Sequence, residues 1–191
     1  MKRTIDEIFN DRTCYHFTDQ PIEHNLLTEM YDLMKLGPTS ANSCPLRIVF
    51  VETSEAKERL STCVMPGNAD KIKMAPVTAL FAYDMKFYDK IPYLFPHMPA
   101  MKDYFSGSAE VTMHTATLNS ALQAAYFMMI ARGRGLGCTP MSGFNMEAVN
   151  KEFLSETDYK ISLICSLGYR STKEDHPRMP RLSFEEVCTI I

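Results

Sequence analysis

Apolar positions recur along the chain with two different periods, and the longer period predicts helices. Apolar residues follow helical spacing from Ile22 to Met34, and Gly37-Pro38 ends this pattern. Near the start of the chain, Thr4 and Glu7 have the spacing of a capping box, which predicts a short helix from about Ile5.

Two more helices are predicted in the middle of the chain. The segment TSEAKERLSTCV has a helical pattern, with Thr53 or Ser54 as its N-cap. A long helix is predicted from about Val111 to Ala131, and the glycines of GRGLG (Gly133 to Gly137) end it with a C-cap and a turn. GRGLG is not interpreted as a dinucleotide-binding motif, because that motif follows a strand and opens a helix.

The shorter period and β-branched composition predict three buried strands. They are RIVFV (Arg47 to Val51), APVTALFAY (Ala75 to Tyr83) and KISLICSLGY (Lys160 to Tyr169). The order of helices and strands differs from the regular alternation of a doubly wound fold. Since no repeat or linker interrupts the sequence, we expect a single α+β domain over residues 1–191.

Composition and charge exclude several classes of partner. The 191 residues are 46% hydrophobic and 23% charged, with a net charge of −3 and no Lys/Arg cluster. Neither nucleic acid nor an anionic membrane is therefore expected as a partner. The longest apolar run, ALQAAYFMMIA, is too short for a membrane span, and MKRTIDEIFN lacks the apolar core of a signal peptide. We expect a cytoplasmic protein.

The cysteines and histidines do not form a metal-binding or catalytic pattern. The six cysteines lack CxxC or Cys/His spacing, so we expect reduced thiols and no metal site. Cys165 and Cys188 lie in apolar runs, which predicts that both pack as small hydrophobic side chains. No Ser/His/Asp arrangement is recognisable, and His97 and His114 stand alone. The sequence therefore predicts no catalytic side chain.

Short polar segments lie between the predicted elements. In chain order they are Arg12-Thr13, PTSANS from Pro38, GNADKIKMAP with Asn68 and Lys71, PMSGFN from Pro140, and Arg178 with Arg181. Each segment alone is typical of a solvated loop. Together they fit an anionic planar ligand with amide groups: guanidinium and hydroxyl groups suit a phosphate, an Asn amide reads a donor–acceptor edge, and a Lys faces developing negative charge.

These segments carry a resemblance to a known family. In their order and spacing, Arg12-Thr13, PTSANSCP, the Asn68/Lys71/Ala75-Pro76 pattern and PRLSFEE (Pro180 to Glu186) resemble the FMN-dependent nitroreductase family along nearly the whole chain. FYDKIPYLFPH, QAAY and TPMSGF look most like the malonic semialdehyde reductase (3-hydroxypropanoate-forming) branch. The resemblance implies a nitroreductase-like fold, with a mostly antiparallel central sheet flanked by helices and a long core helix.

The resemblance also implies an FMN site. In the family the PTSANS loop lies along the flavin, and the arginines and Thr13 surround the phosphate. Asn68 contacts the pyrimidine edge of the ring, and Lys71 lies near N1 and the C2 carbonyl. Ser142-Gly143 face N5. The implied cofactor-binding residues are Arg12, Thr13, Pro38, Thr39, Ser40, Asn42, Asn68, Lys71, Ser142, Gly143, Arg178 and Arg181. Whether Arg178 or Arg181 contacts the phosphate is left open.

The chain departs from the family pattern at three positions. A second basic residue of the first motif is replaced by Tyr15 or His16, depending on the alignment. Ser142 stands where many members have Glu. Cys44 stands where Gln is usual, so contacts of Tyr15 and Cys44 with the flavin are open. With Lys71 as the remaining cation, we expect a lower flavin potential than in broad-specificity nitroreductases.

The implied function is an NAD(P)H-dependent flavin oxidoreductase in which flavin N5, and no side chain, carries the hydride. The implied acceptor is a small aldehyde such as malonic semialdehyde. Alternatives are a broad-specificity nitroreductase, a quinone or enal reductase, and a non-catalytic FMN-binding protein. The segment from Phe87 to Phe105 would cover the flavin across a homodimer interface. It would supply the candidate substrate residues Phe95, His97 and Phe105. An equal alternative is that this segment is a flap or a dimer contact without a substrate role. NADH and NADPH remain equal possibilities.

Overall fold

The computed structural model describes residues 3–173 and 177–191, and the strands of this part form one antiparallel sheet. The strands are β1 (Leu46–Val51), β2 (Val77–Asp84), β3 (Leu136–Met141) and β4 (Tyr159–Tyr169), in the order β1-β2-β4-β3. β1 and β3 are therefore the two edges of the sheet. β2 lies in its centre and is buried along its whole length, as its largely apolar sequence predicts.

Helices cover both faces of the sheet. They are α1 (Ile5–Asn10), α2 (His24–Met34), α3 (Ser54–Ser61), α4 (Pro66–Met74), α5 (Ile91–Leu94), α6 (Met101–Ser106), α7 (Ala109–Gly133), α8 (Met146–Phe153) and α9 (Phe184–Val187). Thr4 and Glu7 make both hydrogen bonds of the predicted capping box of α1. Within the described residues, no helix combines the length and hydropathy that a membrane span requires.

Alternate residues of β2 pack into two separate hydrophobic layers, as the two-residue period of a strand dictates. Ala79 and Phe81 face the layer formed with α2 and the long helix α7, where Phe127 packs edge-on against Phe81 with 5.6 Å between ring centres. Leu80 and Ala82 face the opposite layer, formed with α3, α4 and α8. The predicted α+β fold with a long core helix is confirmed.

Six elements were not predicted from the sequence: β3, α4 and α8, and the short helices α5, α6 and α9. β3 contains Gly137 and Pro140, which are rare in central strands but tolerated at an edge of the sheet. The segment of α4 was interpreted as a polar loop, since its apolar residues do not follow a helical period, and α8 was missed as well. The predicted burial of Cys165 is confirmed, whereas that of Cys188 is wrong, because the segment from residue 177 to 191 lies exposed.

The strand register fixes where the connecting segments lie. Leu46, which follows the PTSANS loop, pairs with Tyr83 near the end of β2. The segment from Arg12 to Tyr15 runs instead along β3, where the Cys14 N–H donates to the Cys138 carbonyl (3.0 Å). Two groups of predicted site residues are thus placed at opposite edges of the sheet.

Candidate functional site

Predicted site residues far apart in the sequence meet beside β3. The Lys71 ammonium donates a hydrogen bond to Asn68 Oδ1 (3.0 Å), and Asn68 Nδ2 donates to the Gly143 carbonyl (3.0 Å). Lys71 Nζ also lies 5.4 Å from the centre of the Tyr15 ring, a cation–π distance. We call Gly143, Asn68, Lys71 and Tyr15 the lysine cluster.

Local structure explains why the lysine cluster forms. Asn68 and Lys71 are three residues apart in α4 and therefore share one face of the helix. The Met65 N–H, at the start of α4, donates to the Gly143 carbonyl (3.0 Å) and ties the two segments together. A Cβ on Gly143 would lie 3.0 Å from Asn68 Nδ2 and 3.1 Å from Met65 Sδ, so glycine is what lets these groups approach closely.

A cavity of about 320 Å³ adjoins the lysine cluster, and we call it the arginine cavity. Its lining residues are Phe9, Asp11, Arg12, Thr13, Tyr15, Arg132, Pro177, Arg178, Met179 and Arg181. The structure thus brings both C-terminal arginines to the same cavity as Arg12 and Thr13. Tyr15 belongs to the cavity and to the lysine cluster, so the two form one continuous surface.

The arginine cavity carries excess positive charge. Arg178 Nη2 donates to the carbonyls of Phe9 (3.2 Å) and Asn10 (2.7 Å), and Arg181 Nη1 donates to the carbonyls of Met179 and Pro180. These contacts orient the guanidinium groups without neutralising them. Among the described lining residues the one carboxylate is that of Asp11, which Arg3 binds at 2.5 and 3.1 Å. The arrangement suits a phosphate.

The PTSANS loop has a defined backbone of its own. Ala41, Asn42 and Cys44 adopt left-handed φ values of 49°, 51° and 42°, which are uncommon for residues other than glycine. The Ser40 N–H donates to Asn119 Oδ1 of α7 (2.8 Å), and the Tyr126 hydroxyl donates to the Pro38 carbonyl (3.1 Å). Pro38, Ser40 and Asn42 are exposed and Thr39 is half-buried, so the loop presents polar groups outward.

Within one chain this loop lies far from the arginine cavity. It precedes the edge strand β1, whereas Arg12 to Tyr15 run along the opposite edge strand, about 14 Å away at the usual strand spacing. The loop is also displaced along the strands. It lies near Tyr83 at one end of β2, whereas Cys138 lies at the level of Val77, because both pair with Leu167 of β4. Tyr83 and Val77 are six residues apart, or roughly 20 Å. A single chain therefore does not bring all the predicted cofactor-binding residues together.

The predicted substrate residues lie beside the PTSANS loop. Asn42 Nδ2 donates to the Leu94 carbonyl (2.8 Å), next to Phe95, whose ring centre lies 3.9 Å from that of His97. His97 is exposed and Phe95 half-buried. Phe105 is 3% exposed and packs on Phe87 with 5.4 Å between ring centres, so in this chain it forms part of the core.

Two contacts were not foreseen from the sequence. Tyr15, rather than His16, faces Lys71. Which of the two residues does so depends on the side-chain directions along the segment beside β3. Arg132, at the end of α7, lines the arginine cavity. Its charge also acts on Cys165, whose pKa is raised well above its ordinary value chiefly by burial, then by the Cys138 thiol; Arg132 opposes this shift. Arg132 directly follows the predicted end of the long helix at Ala131, and that position gave no sign of this role.

Comparisons with known proteins agree with this geometry. A solved Bacillus subtilis structure provisionally described as a nitroreductase covers 97% of each chain with a TM-score of 0.89 and 21% identity. A protein of Exiguobacterium sibiricum, also provisionally described as a nitroreductase and solved in complex with FMN, covers 99% of each chain with a TM-score of 0.87 and 20% identity. These likenesses show the fold.

Sequence comparison goes further than the fold. A Ralstonia pickettii protein provisionally named NADH dehydrogenase/NAD(P)H nitroreductase HadB is 48% identical over 174 residues, which cover 90% of this chain and 89% of that protein. The profile of the Nitroreductase family matches residues 8–169. A match over most of the chain, together with so similar a relative, shows that this protein belongs to the nitroreductase family.

Proposed function

We propose that the protein is an NAD(P)H-dependent oxidoreductase that uses FMN. Family membership supports an oxidoreductase, the name of the Ralstonia pickettii relative supports NAD(P)H as the donor, and the FMN complex of the Exiguobacterium sibiricum protein supports FMN. The observation that carries the proposal is the continuity of the arginine cavity with the lysine cluster. A phosphate site and an amide-reading site lie side by side, as a flavin mononucleotide requires.

The donor set fits FMN part by part. In the proposal Arg12, Thr13, Arg178 and Arg181 hold the phosphate, because they surround a cavity whose carboxylate is already bound by Arg3. The side-chain amide of Asn68 meets the pyrimidine edge of the ring. Ser142 and Gly143 are assigned to the ring near N5, on a segment that Asn68 and Met65 hold in place by close contact with Gly143.

Bound FMN supplies hydride transfer from the nicotinamide to the acceptor, and the protein binds, orients and tunes it. Lys71 holds a positive charge where negative charge develops on the ring during reduction, and its hydrogen bond to Asn68 keeps the ammonium in place. The Tyr15 ring covers the other side of the ammonium, so no second cation shares this task at that position.

For the acceptor we propose a small aldehyde such as malonic semialdehyde. The segments FYDKIPYLFPH and TPMSGF support this choice, with Phe95 and His97 as the substrate-facing residues. The name of the Ralstonia pickettii relative favours a second candidate, reduction of nitro compounds. A non-catalytic FMN-binding role is the outcome to be excluded by experiment.

We also propose a cytoplasmic homodimer with FMN at the interface. The PTSANS loop and the arginine cavity lie at opposite edges of one chain, so they can line the same FMN only if a second copy supplies the loop. Exposed apolar residues support such an interface: they are Met113, Leu118 and Leu122 on α7 and Leu182, Phe184, Val187, Ile190 and Ile191 near the C-terminus.

The test is a stopped-flow reductive half-reaction of the FMN-loaded protein, made anaerobically with NADH and separately with NADPH. We expect the flavin absorbance to bleach with at least one nicotinamide and to recover when acceptor is added. The acceptor panel contains malonic semialdehyde, other aldehydes, quinones and nitroarenes.

Each result has a defined meaning. Selective recovery with malonic semialdehyde supports the aldehyde proposal, and equal recovery with nitroarenes favours the second candidate. A yellow protein that no nicotinamide bleaches is a carrier, which refutes the enzymatic proposal. A protein that does not retain FMN refutes both.

A further inference from the structure

Arg132 is a cation of the arginine cavity to which the proposed phosphate site assigns no role. It lies in the last turn of the 25-residue helix α7 and lines the cavity together with Arg12, Arg178 and Arg181. Its backbone is fixed, since its carbonyl accepts a hydrogen bond from Arg3 Nη1 (3.1 Å). The rigid end of a long helix thus presents this side chain to the cavity.

The guanidinium of Arg132 is incompletely satisfied by the protein. Its Nε is buried and has no hydrogen-bond partner among the described residues. A buried donor without a partner costs free energy, and a buried charge costs more. Asp11, the carboxylate among the described lining residues, is already paired with Arg3 at 2.5 and 3.1 Å. The charge of Arg132 also acts on the buried thiol of Cys165, but burial raises the pKa of that thiol, so it supplies no counter-charge.

We infer that Arg132 is a phosphate-binding residue of the FMN site, with its guanidinium, including the buried Nε–H, donating to the ligand's phosphate oxygens. This inference rests on the proposed function and adds a residue to it. A phosphate in the cavity would satisfy the buried donor and supply a counter-charge to the four arginines of the described lining. Arg178 and Arg181 lie in the exposed C-terminal segment, whereas Arg132 is half-buried at the end of the long helix α7.

The test compares two ligands that differ only in the phosphate. FMN and riboflavin are titrated into the full-length apoprotein and into the R132Q and R132K variants, and binding is followed by quenching of flavin fluorescence. R134Q is the matched control, because Arg134 lies two residues away at the same helix end, is exposed, and pairs with Glu29 at 3.4 Å. Thermal unfolding of each apoprotein checks that the variant folds.

We expect R132Q to weaken FMN binding at least tenfold and to change riboflavin binding less than twofold, since a charge-assisted hydrogen bond is lost only with FMN. R132K should recover part of the FMN affinity, and R134Q should match the wild type with both ligands. Either FMN affinity unchanged in R132Q or an equal loss with both flavins overturns the inference, the second showing a structural role.

The failures of the two proposals can be told apart. If wild-type apoprotein prefers FMN to riboflavin and R132Q retains that preference, Arg132 is wrongly assigned while the FMN site stands. If the wild type binds neither flavin, the proposed function fails and the inference fails with it. If R132Q does not fold, R132M takes its place in the same titrations, with an FMN affinity equal to that of the wild type counting against the inference.

Discussion

The ammonium of Lys71 lies 5.4 Å from the centre of the Tyr15 ring. The sequence left open whether Tyr15 or His16 stands at the second basic position of the family motif, and the structure places Tyr15 beside the lysine. An aromatic face stabilises a neighbouring cation without adding charge of its own. The lysine cluster therefore contains one cation where a basic residue at position 15 would give two.

Replacing Lys71 by Met should lower the reduction potential of bound FMN. The substitution removes the positive charge that favours the negative charge gained on reduction, and a tenfold shift in this two-electron equilibrium corresponds to about 30 mV. Equilibrium reduction against a reference dye measures the potential. Lys73→Met is the matched control, because Lys73 lies on the same helix and pairs with Glu58. An unchanged potential in K71M would remove the role assigned to Lys71.

Replacing Tyr15 by Lys should have the opposite effect. A second cation beside Lys71 is expected to raise the potential by a similar amount, about 30 mV, because both charges then act on the reduced ring. Tyr15→Phe keeps the aromatic face over Lys71 and should leave the potential near that of the wild type. A potential that falls in Y15K would show that Tyr15 does not stand near the ring.

The lysine cluster shows how much of the site could be predicted from sequence. The three-residue spacing of Asn68 and Lys71 was visible, because any helix or turn keeps such residues together. The contact of Asn68 with Gly143 depends on β3, which was not predicted because Gly137 and Pro140 mask its pattern. The separation of the PTSANS loop from the cavity follows from strand order, which apolar periods do not encode.

Gly143→Ala should weaken FMN binding about tenfold or more. The added methyl would lie 3.0 Å from Asn68 Nδ2 and 3.1 Å from Met65 Sδ, so the Asn68 side chain has to shift by about a few tenths of an ångström, which disturbs the amide that is assigned to the flavin. Fluorescence titration of the apoprotein measures the affinity. Gly67→Ala is the control, since nothing lies within 4 Å of its added Cβ and alanine favours the helix. Equal affinities in the two variants would contradict this account.

Replacing Glu52 by Gln should lower the pKa of His24. The ring of His24 bonds the Glu52 carboxylate at 2.8 Å, and this hydrogen bond, aided by the carboxylate charge, raises the pKa of His24 above its ordinary value. The raised pKa means that the pair stabilises the fold below pH 6.5 and that this contribution disappears as the pH rises through the folded-state pKa.

The pKa of His24 can be measured directly by NMR titration of its ring protons. We expect E52Q to bring this pKa down toward the ordinary value. Glu23→Gln is the comparison, because Glu23 acts only through its charge and contributes less. If E52Q leaves the titration of His24 unchanged, the contact with Glu52 does not persist in solution.

Phe184→Asp should weaken the proposed homodimer. Phe184 is 60% exposed in one chain and lies in α9, inside a C-terminal segment whose apolar side chains find no core to pack against within their own chain. Burial of one such ring is worth about 1.5–3 kcal/mol, and a dimer contains two. An aspartate in its place should therefore raise the dimer dissociation constant at least about 100-fold.

Light scattering coupled to size exclusion, over a dilution series, measures the dimer dissociation constant. Glu185→Gln changes a neighbouring polar residue and should leave it unchanged. A wild-type protein that is monomeric with FMN bound would refute the dimer, because the PTSANS loop could then not reach the arginine cavity.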